Sequence, residues 1–350
     1  MKTIGLTGAN GQVGFEVTAI LAKDGLAKPI AIGRTDYSLA TLRRLGVVAR
    51  SGNLADSADS SRLLDGCDLL ADFAWPHGID AVMSPQVQAH IKNSIVSLPV
   101  DAHYVFISTQ SVFRLLRHEP SFKIYGLAKR RAERLAISLG QRLNKKVYVL
   151  RLGEVHGPFQ NCSRCRVADF RDQTALVPRL KSGVVWGHNI AEALLRIAEG
   201  GVRPGVYTLL AHPEWSYREV HAYYAKWAGL PCTVVEEEPP RDSGWLRNRL
   251  DRLAESGRGL VVGLAVREKE LIEWSLYRLN PSLAQRLRLR HYQKSARRDI
   301  QTLEDARQWR PYRQEREVPG RRFTALTDVR SIIFERNREL LEWVNTRLNP

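Results

Sequence analysis

The stretch Thr3-Ile4-Gly5-Leu6-Thr7-Gly8-Ala9-Asn10-Gly11-Gln12-Val13-Gly14-Phe15-Glu16-Val17 decides the fold. The short apolar run Thr3–Thr7 passes directly into glycines at every third position, and these open a helical pattern that continues to Leu21. A strand, a glycine turn and a helix in immediate succession are the start of a βαβ unit. Gly8 permits the tight turn, Gly11 lets backbone approach a pyrophosphate, and Gly14 allows helix and strand to pack closely. The N-terminus of the helix offers unpaired N–H groups to phosphate oxygens.

Working outward, Pro29–Gly33, Val47–Ser51, Leu69–Phe73, Tyr104–Ser108 and Val147–Leu152 are further strand-like runs, most of them separated by enough chain for helical crossovers. This rhythm predicts an α/β domain over residues 1–155, a doubly wound parallel Rossmann sheet. Val206–Leu210 follows the turn Arg203-Pro204-Gly205 and is expected to rejoin that sheet. Residues 156–350 are expected to form a smaller, mostly helical C-terminal substrate lobe, with a basic helical region over 240–350, folded over the carboxyl edge of the sheet. Within it, Asn189 reads as the N-cap of a helix over Ile190–Gly200.

Composition narrows the class. A chain of 350 residues with 44% hydrophobic content is neither disordered nor fibrous. No apolar run reaches the roughly 18 residues that a spanning helix needs, and a strand beginning near Lys2 leaves no room for a leader, so a cytoplasmic location is expected. Cys67, Cys162, Cys165 and Cys232 do not form a disulfide pattern. Cys162 and Cys165 stand as Cys-x-x-Cys, but two ligands do not make a zinc site, and no metal is expected. The net charge is +16, and the last 110 residues carry 24 Lys/Arg against 15 Asp/Glu. Such a surface suits anionic partners of several kinds and does not choose among them.

The Gly-x-x-Gly-x-x-Gly spacing resembles the extended short-chain dehydrogenase/reductase superfamily of NAD-dependent epimerase/dehydratase type, and further matches follow in family order. The resemblance assigns Gly8, Asn10, Gly11, Gln12, Val13 and Gly14 to a dinucleotide cofactor. Gly52-Asn53-Leu54-Ala55-Asp56 is similar to the family's adenine-contacting segment, which implies Asn53 and Leu54. Ala71-Asp72-Phe73-Ala74 resembles its cofactor-lining turn, which implies Phe73 and Ala74. Val105–Phe113 is similar to the strand that ends in Ser-Ser or Ser-Thr, here Ser108-Thr109, and Tyr125-Gly126-Leu127-Ala128-Lys129 matches Tyr-x-x-x-Lys. Leu150–Pro158 resembles Arg-x-x-x-Val-Tyr-Gly-Pro with His156 in place of tyrosine, and Ala306–Pro311 resembles a Leu-Gly-Trp-x-Pro turn. Similarity covers residues 1–215 well, whereas residues 240–298 have no counterpart.

The Tyr/Lys pair also makes sense chemically. A spacing of four puts Tyr125 and Lys129 on one helical face, where an ammonium lowers the pKa of a nearby phenol. Tyr125 can then exchange a proton with a substrate hydroxyl or carbonyl, while Thr109, leaving its strand at the carboxyl edge of the sheet, orients the same oxygen. Thr109, Tyr125 and Lys129 are the expected catalytic set, with Tyr125 and Lys129 also expected at the cofactor; Thr109, Ser111, Tyr125 and His156 are the expected substrate contacts. At the end of the second strand stand Gly33-Arg34-Thr35, with Asp36 just beyond. Arg34 suits the extra phosphate of NADP, so NADP is expected, with NAD as the alternative.

Dehydratases of the family carry Thr-Asp-Glu where this chain has Thr109-Gln110-Ser111, which disfavours 4,6-dehydration. The resemblance leaves an epimerase or ketoreductase acting on a nucleotide-linked sugar, as a homodimer. Arg164, Arg166, Arg179 and Lys181 read equally as a diphosphate grip or a solvated basic face. The alternative is a non-enzymatic NADP-binding protein that presents residues 245–298, where Trp245, Trp274, Tyr277 and Tyr292 are interleaved with Arg and Leu, to a partner or a membrane surface. Nucleic acid is not the expected partner.

Overall fold

β-branched and aromatic residues in the short apolar runs make strands, and alternate residues of each strand feed opposite faces of one sheet. The computed structural model describes residues 1–76, 84–113, 120–161, 163, 174–231, 233–237 and 320–349. Strands and helices alternate: β1 Thr3–Thr7, α1 Gln12–Lys23, β2 Lys28–Gly33, α2 Asp36–Arg44, β3 Val48–Ser51, α3 Ser57–Leu64, β4 Leu69–Asp72, α4 Pro85–Ser97, β5 His103–Thr109, α5 Pro120–Arg142 and β6 Lys146–Leu152. Then follow β7 Glu154–His156, β8 Thr174–Pro178, β9 Val184–Trp186, α6 Gly187–Ala198, β10 Gly205–Leu209, α7 Tyr217–Ala228, β11 Thr233–Glu237 and α8 Ile333–Leu348.

Seven strands form a parallel sheet in the order β10-β6-β5-β4-β1-β2-β3, a Rossmann-like α/β fold. Each of the six N-terminal runs becomes a strand, and the run at Val206–Leu210 forms β10 beside β6. Strand order reverses between β1 and β4, which makes the crevice beyond their carboxyl ends the place for a ligand. In β5, Val105 and Ile107 join the core that includes α1 and α6, while Tyr104 and Phe106 join the core under α3, α4 and α5. The buried bidentate pair of Arg151 on β6 with Glu133 on α5, at 3.0 and 2.7 Å, fixes α5 over the sheet, and Ser108 adds a bond to Glu133 at 2.6 Å.

The helix expected at Ile190 begins at Gly187. β9 runs straight into it, so Trp186 is the residue before the first turn, and Asn189 lies inside that turn and accepts the Trp186 N–H at 3.2 Å. The chain's C-terminus returns to the sheet. Thr208 of β10 exchanges backbone bonds with Arg321 and Phe323, and α8 lies on α1 and α2, where Lys23 meets Glu339 at 3.0 Å and Arg44 caps the Leu348 carbonyl at 2.6 Å. Met1–Ala175, Arg179–Val235 and Glu315–Pro350 form one compact unit. A second comprises Leu176–Pro178 and Glu236–Gln314, and residues 238–314 of it lie outside the described residues, as do Cys162, Cys165, Arg164, Arg166 and the aromatic residues of 245–298. Among the described residues, no helix is long and apolar enough to cross a membrane.

Candidate active site

The glycine turn lies at the switch point between β1 and β4. Gly8 has φ +60°, and a Cβ there would stand 2.8 Å from the Ala74 nitrogen, so the two strand ends touch through backbone. A Cβ on Gly14 would stand 2.3 Å from the Gly8 carbonyl, which requires glycine where α1 meets the turn. Asn10, Gly11 and Gln12 are exposed, and the start of α1 faces out with no side-chain cap on its N–H groups. This is a cradle fit for a pyrophosphate.

Beneath the cradle is a buried polar cluster. Thr7 donates its hydroxyl to Asp72 and accepts the Ala74 N–H at 3.1 Å, while Asp72 also accepts Tyr104 at 2.6 Å and pairs with His90 of α4 at 3.0 Å. Burial by itself would raise the Asp72 carboxyl; the His90 charge and the three hydrogen bonds outweigh it and hold the group at about 2. Burial likewise opposes the charge on His90, and Asp72 outweighs that, leaving His90 above its ordinary value.

At the end of β2, Arg34 is exposed and makes no hydrogen bond or ion pair among the described residues. Asp36 is turned to Arg43 of its own helix. Asn53 is exposed, with its backbone N–H on Asp59 at 2.9 Å and its side-chain oxygen on the Ala55 N–H at 3.1 Å; Leu54 is buried. Phe73 and Ala74 are half-buried beyond β4, and Val13 is half-buried in the first turn of α1.

Thr109 ends β5, and its hydroxyl is 3.2 Å from both the Ser111 hydroxyl and the Ser111 N–H. A Cβ on Gly126 would stand 2.4 Å from the Ser111 carbonyl, so α5 crosses this turn at backbone contact, with Tyr125 the residue before the crossing. Lys129 is buried one turn on, donates to the Ile107 carbonyl at 2.8 Å and lies 5.9 Å from the centre of the Tyr125 ring. Burial pushes the Tyr125 phenol up to about 12 and the Lys129 amine down to about 7, the latter against the opposing charges of Asp72 and Glu133. The amine donates to a carbonyl and is covered by rings, and burial is what sets the phenol.

His156 is not open to a substrate. Its ring is buried, bonded to the Tyr224 hydroxyl through Nδ1 and 3.5 Å from Glu154 through Nε2. The ring packs edge-on to Trp186 and tilted against Tyr224. Three further groups were not singled out from the sequence. Trp75, just beyond β4, has its ring 4.0 Å from the Lys129 amine and 6.3 Å from the Tyr125 ring. The other two are the Asp72–His90 pair and the buried carboxyl of Glu16.

A family model described as NAD dependent epimerase/dehydratase family matches residues 4–190. The chain belongs to this family. No curated protein sequence matches it. Among solved structures, a nucleoside-diphosphate-sugar epimerase from Pseudomonas aeruginosa superposes with TM-score 0.51 at 17% identity, over 73% of this chain and 84% of that one. Vestitone reductase from alfalfa gives 0.51 at 15% identity, over 65% and 83%. UDP-glucuronic acid 4-epimerase from Bacillus cereus, solved in complex with NAD, gives 0.50 at 16% identity, over 68% and 87%. At these identities the likeness shows the fold, and this epimerase/dehydratase family member shares it.

Proposed function

We propose that this chain is an NAD(P)-dependent enzyme that transfers hydride at a hydroxyl-bearing or carbonyl carbon of a nucleotide-activated sugar, as an epimerase or a ketoreductase. The observation that supports the reading is the contact of Gly126 with Ser111, which seats the α5 turn carrying Tyr125 on the turn after Thr109, beyond the carboxyl end of β5 and on the same sheet edge as the glycine cradle. The exposed backbone at Asn10–Gln12 would hold the pyrophosphate, with Gly8, Val13 and Gly14 shaping the turn, Asn53 and Leu54 at the adenine, and Phe73 and Ala74 along the cofactor. The cofactor supplies or accepts the hydride when bound.

Tyr125, with its phenol at about 12, keeps its proton at neutral pH and is poised to give it to a carbonyl oxygen in the reductive step; in the oxidative step of an epimerisation the same oxygen would have to take the substrate hydroxyl proton as a phenolate, its pKa lowered by the positive ring of the bound cofactor. The hydroxyls of Thr109 and Ser111 orient that oxygen. Lys129 holds the floor of the site through the Ile107 carbonyl and, at about 7, changes charge near neutrality. Gln110 and Ser111 offer no carboxylate for loss of water, which supports epimerisation or reduction over 4,6-dehydration. Arg34 stands free for a ribose phosphate while Asp36 is engaged by Arg43, which supports NADP. Incubation with NADPH or NAD and a panel of nucleotide sugars, followed at the nicotinamide band and by sugar analysis, tests the reading; binding of cofactor without any turnover across the panel would favour a binding protein.

A further inference from the structure

Glu16, in the second turn of α1, is fully buried, and its side chain reaches the segment that follows β7. Oε2 accepts the Phe159 N–H at 3.1 Å and the Gln160 side-chain amide at 2.9 Å. Oε1 rests against Gly157 and Gly187, where an added Cβ would come within 1.8 and 2.3 Å of it, so the carboxyl occupies the space that two missing side chains leave. The same segment is fastened to the start of α1 at three more points. Gln160 donates to the Gln12 carbonyl at 3.2 Å, the Asn161 N–H donates to the Gln12 side chain at 3.2 Å, and the Phe159 ring packs edge-on to Phe15 at 5.1 Å. Gln12 directly follows Gly11, so all these contacts converge on the turn that forms the cradle.

We propose that Glu16 is a positioning residue that clamps residues 157–161 onto the N-terminal turn of α1 and thereby sets the affinity of that turn for a dinucleotide. The inference rests on the cofactor reading above. Glu16 forms no ion pair among the described residues. Burial raises its carboxyl to about 7 against the hydrogen bonds from Gln160 and Phe159. The titratable groups around it do not compensate. Tyr223 of α7 is kept protonated by burial, His188 beside Gly187 is pushed down to about 4 by burial, and His156 is bonded to Tyr224; α8 contributes the uncharged Asn337, bonded to Tyr223. Ionisation of Glu16 therefore places an unpaired negative charge behind the helix turn that must receive an anionic pyrophosphate.

The test uses NAD, whose pyrophosphate does not titrate near neutrality, with the full chain. Wild-type affinity is expected to weaken roughly three- to tenfold more than that of Glu16→Gln from about pH 6 to about pH 8.5, because the variant keeps the shape and an acceptor without the charge while every other titrating group, Lys129 included, is common to both. Glu16→Ala, which removes the clamp, is expected to weaken NAD roughly tenfold at both pH values. Equal pH slopes in wild type and Glu16→Gln, or unchanged affinity in Glu16→Ala, would overturn the clamp while leaving the cofactor reading intact. Failure of the wild type to bind NAD or NADP at any pH would overturn the cofactor reading, and the clamp's effect with it. Cofactor-free melting provides an independent arm. A folded-state pKa raised from 4.5 to about 7 contributes stability that is full below 4.5 and lost as pH rises through 7, so the advantage of Glu16→Gln over wild type must grow from pH 5 to pH 8.

Discussion

The Lys129 amine lies 4.0 Å from the centre of the Trp75 ring and 4.9 Å from that of Phe106, with the Ile107 carbonyl as its hydrogen-bond acceptor at 2.8 Å. A lysine so enclosed is desolvated more than it is paired, which explains why its pKa is depressed to about 7 although Asp72 and Glu133 act in the opposite direction. Trp75→Ala opens this enclosure to water. The Lys129 pKa should then rise by one unit or more toward 10.5, read by NMR titration of the lysine side-chain signals. An unchanged value would mean that Trp75 is not what excludes water from the amine.

The Asp72–His90 pair should give a pH-dependent share of stability. His90 has a raised pKa, so its contribution is full below its ordinary value of 6.5 and is lost as pH rises through the raised value. Asp72 has a lowered pKa, so its contribution is present above 3.8 and is lost as pH falls toward 2. His90→Ala should therefore cost most at about pH 5, on the order of 2 kcal/mol, and clearly less at about pH 8.5. Melting curves across that range decide it; a cost that is flat with pH would show that His90 matters only through packing.

Much of this was legible in the sequence because strands buried on both faces are written as apolar runs, and each of the six N-terminal runs became a strand of the parallel sheet. Gly8 and Gly14 were legible for a similar reason, since each stands where backbone leaves no room for a Cβ. Glu16 was not, because a glutamate in a helical pattern reads as solvated unless the glycines that receive it, 157 and 187, are known to lie opposite. The return of α8 was hidden as well. Ile333, Asn337, Leu340 and Val344 mark one buried face, but such a stripe does not say that α7, α1 and α2 are what it covers. His156 read as a site residue by its place in a motif, and only the fold shows Tyr224 taking its Nδ1.

Gly126→Ala tests the contact that assembles the site. Its methyl would stand 2.4 Å from the Ser111 carbonyl, a backbone atom that cannot swing aside, so α5 must lift from the turn at residues 110–113. Turnover should fall by at least roughly tenfold and stability by about 1–3 kcal/mol, while dinucleotide affinity, if it is held mainly by the turn after β1 as proposed, should fall less than turnover. Loss of NAD affinity equal to the loss of turnover would argue that the methyl disturbs the whole sheet edge.

Arg34→Ala should weaken NADP roughly tenfold and leave NAD within about twofold, if the exposed guanidinium, without a partner among the described residues, meets the added phosphate as proposed. Calorimetric titration of both cofactors reads the effect. A wild type that prefers NAD, or a variant that keeps its NADP preference, would remove Arg34 from the cofactor site.

The central claim is that Tyr125 transfers a proton in a hydride-transfer reaction, and Tyr125→Phe tests it most directly. The change deletes one hydroxyl and little volume, so melting temperature and cofactor affinity should stay close to wild type. Turnover on the nucleotide sugar found in the panel, measured at the nicotinamide band beside the wild type, should fall by about 100-fold or more. Near-wild-type turnover in a folded, cofactor-binding Tyr125→Phe would contradict the account.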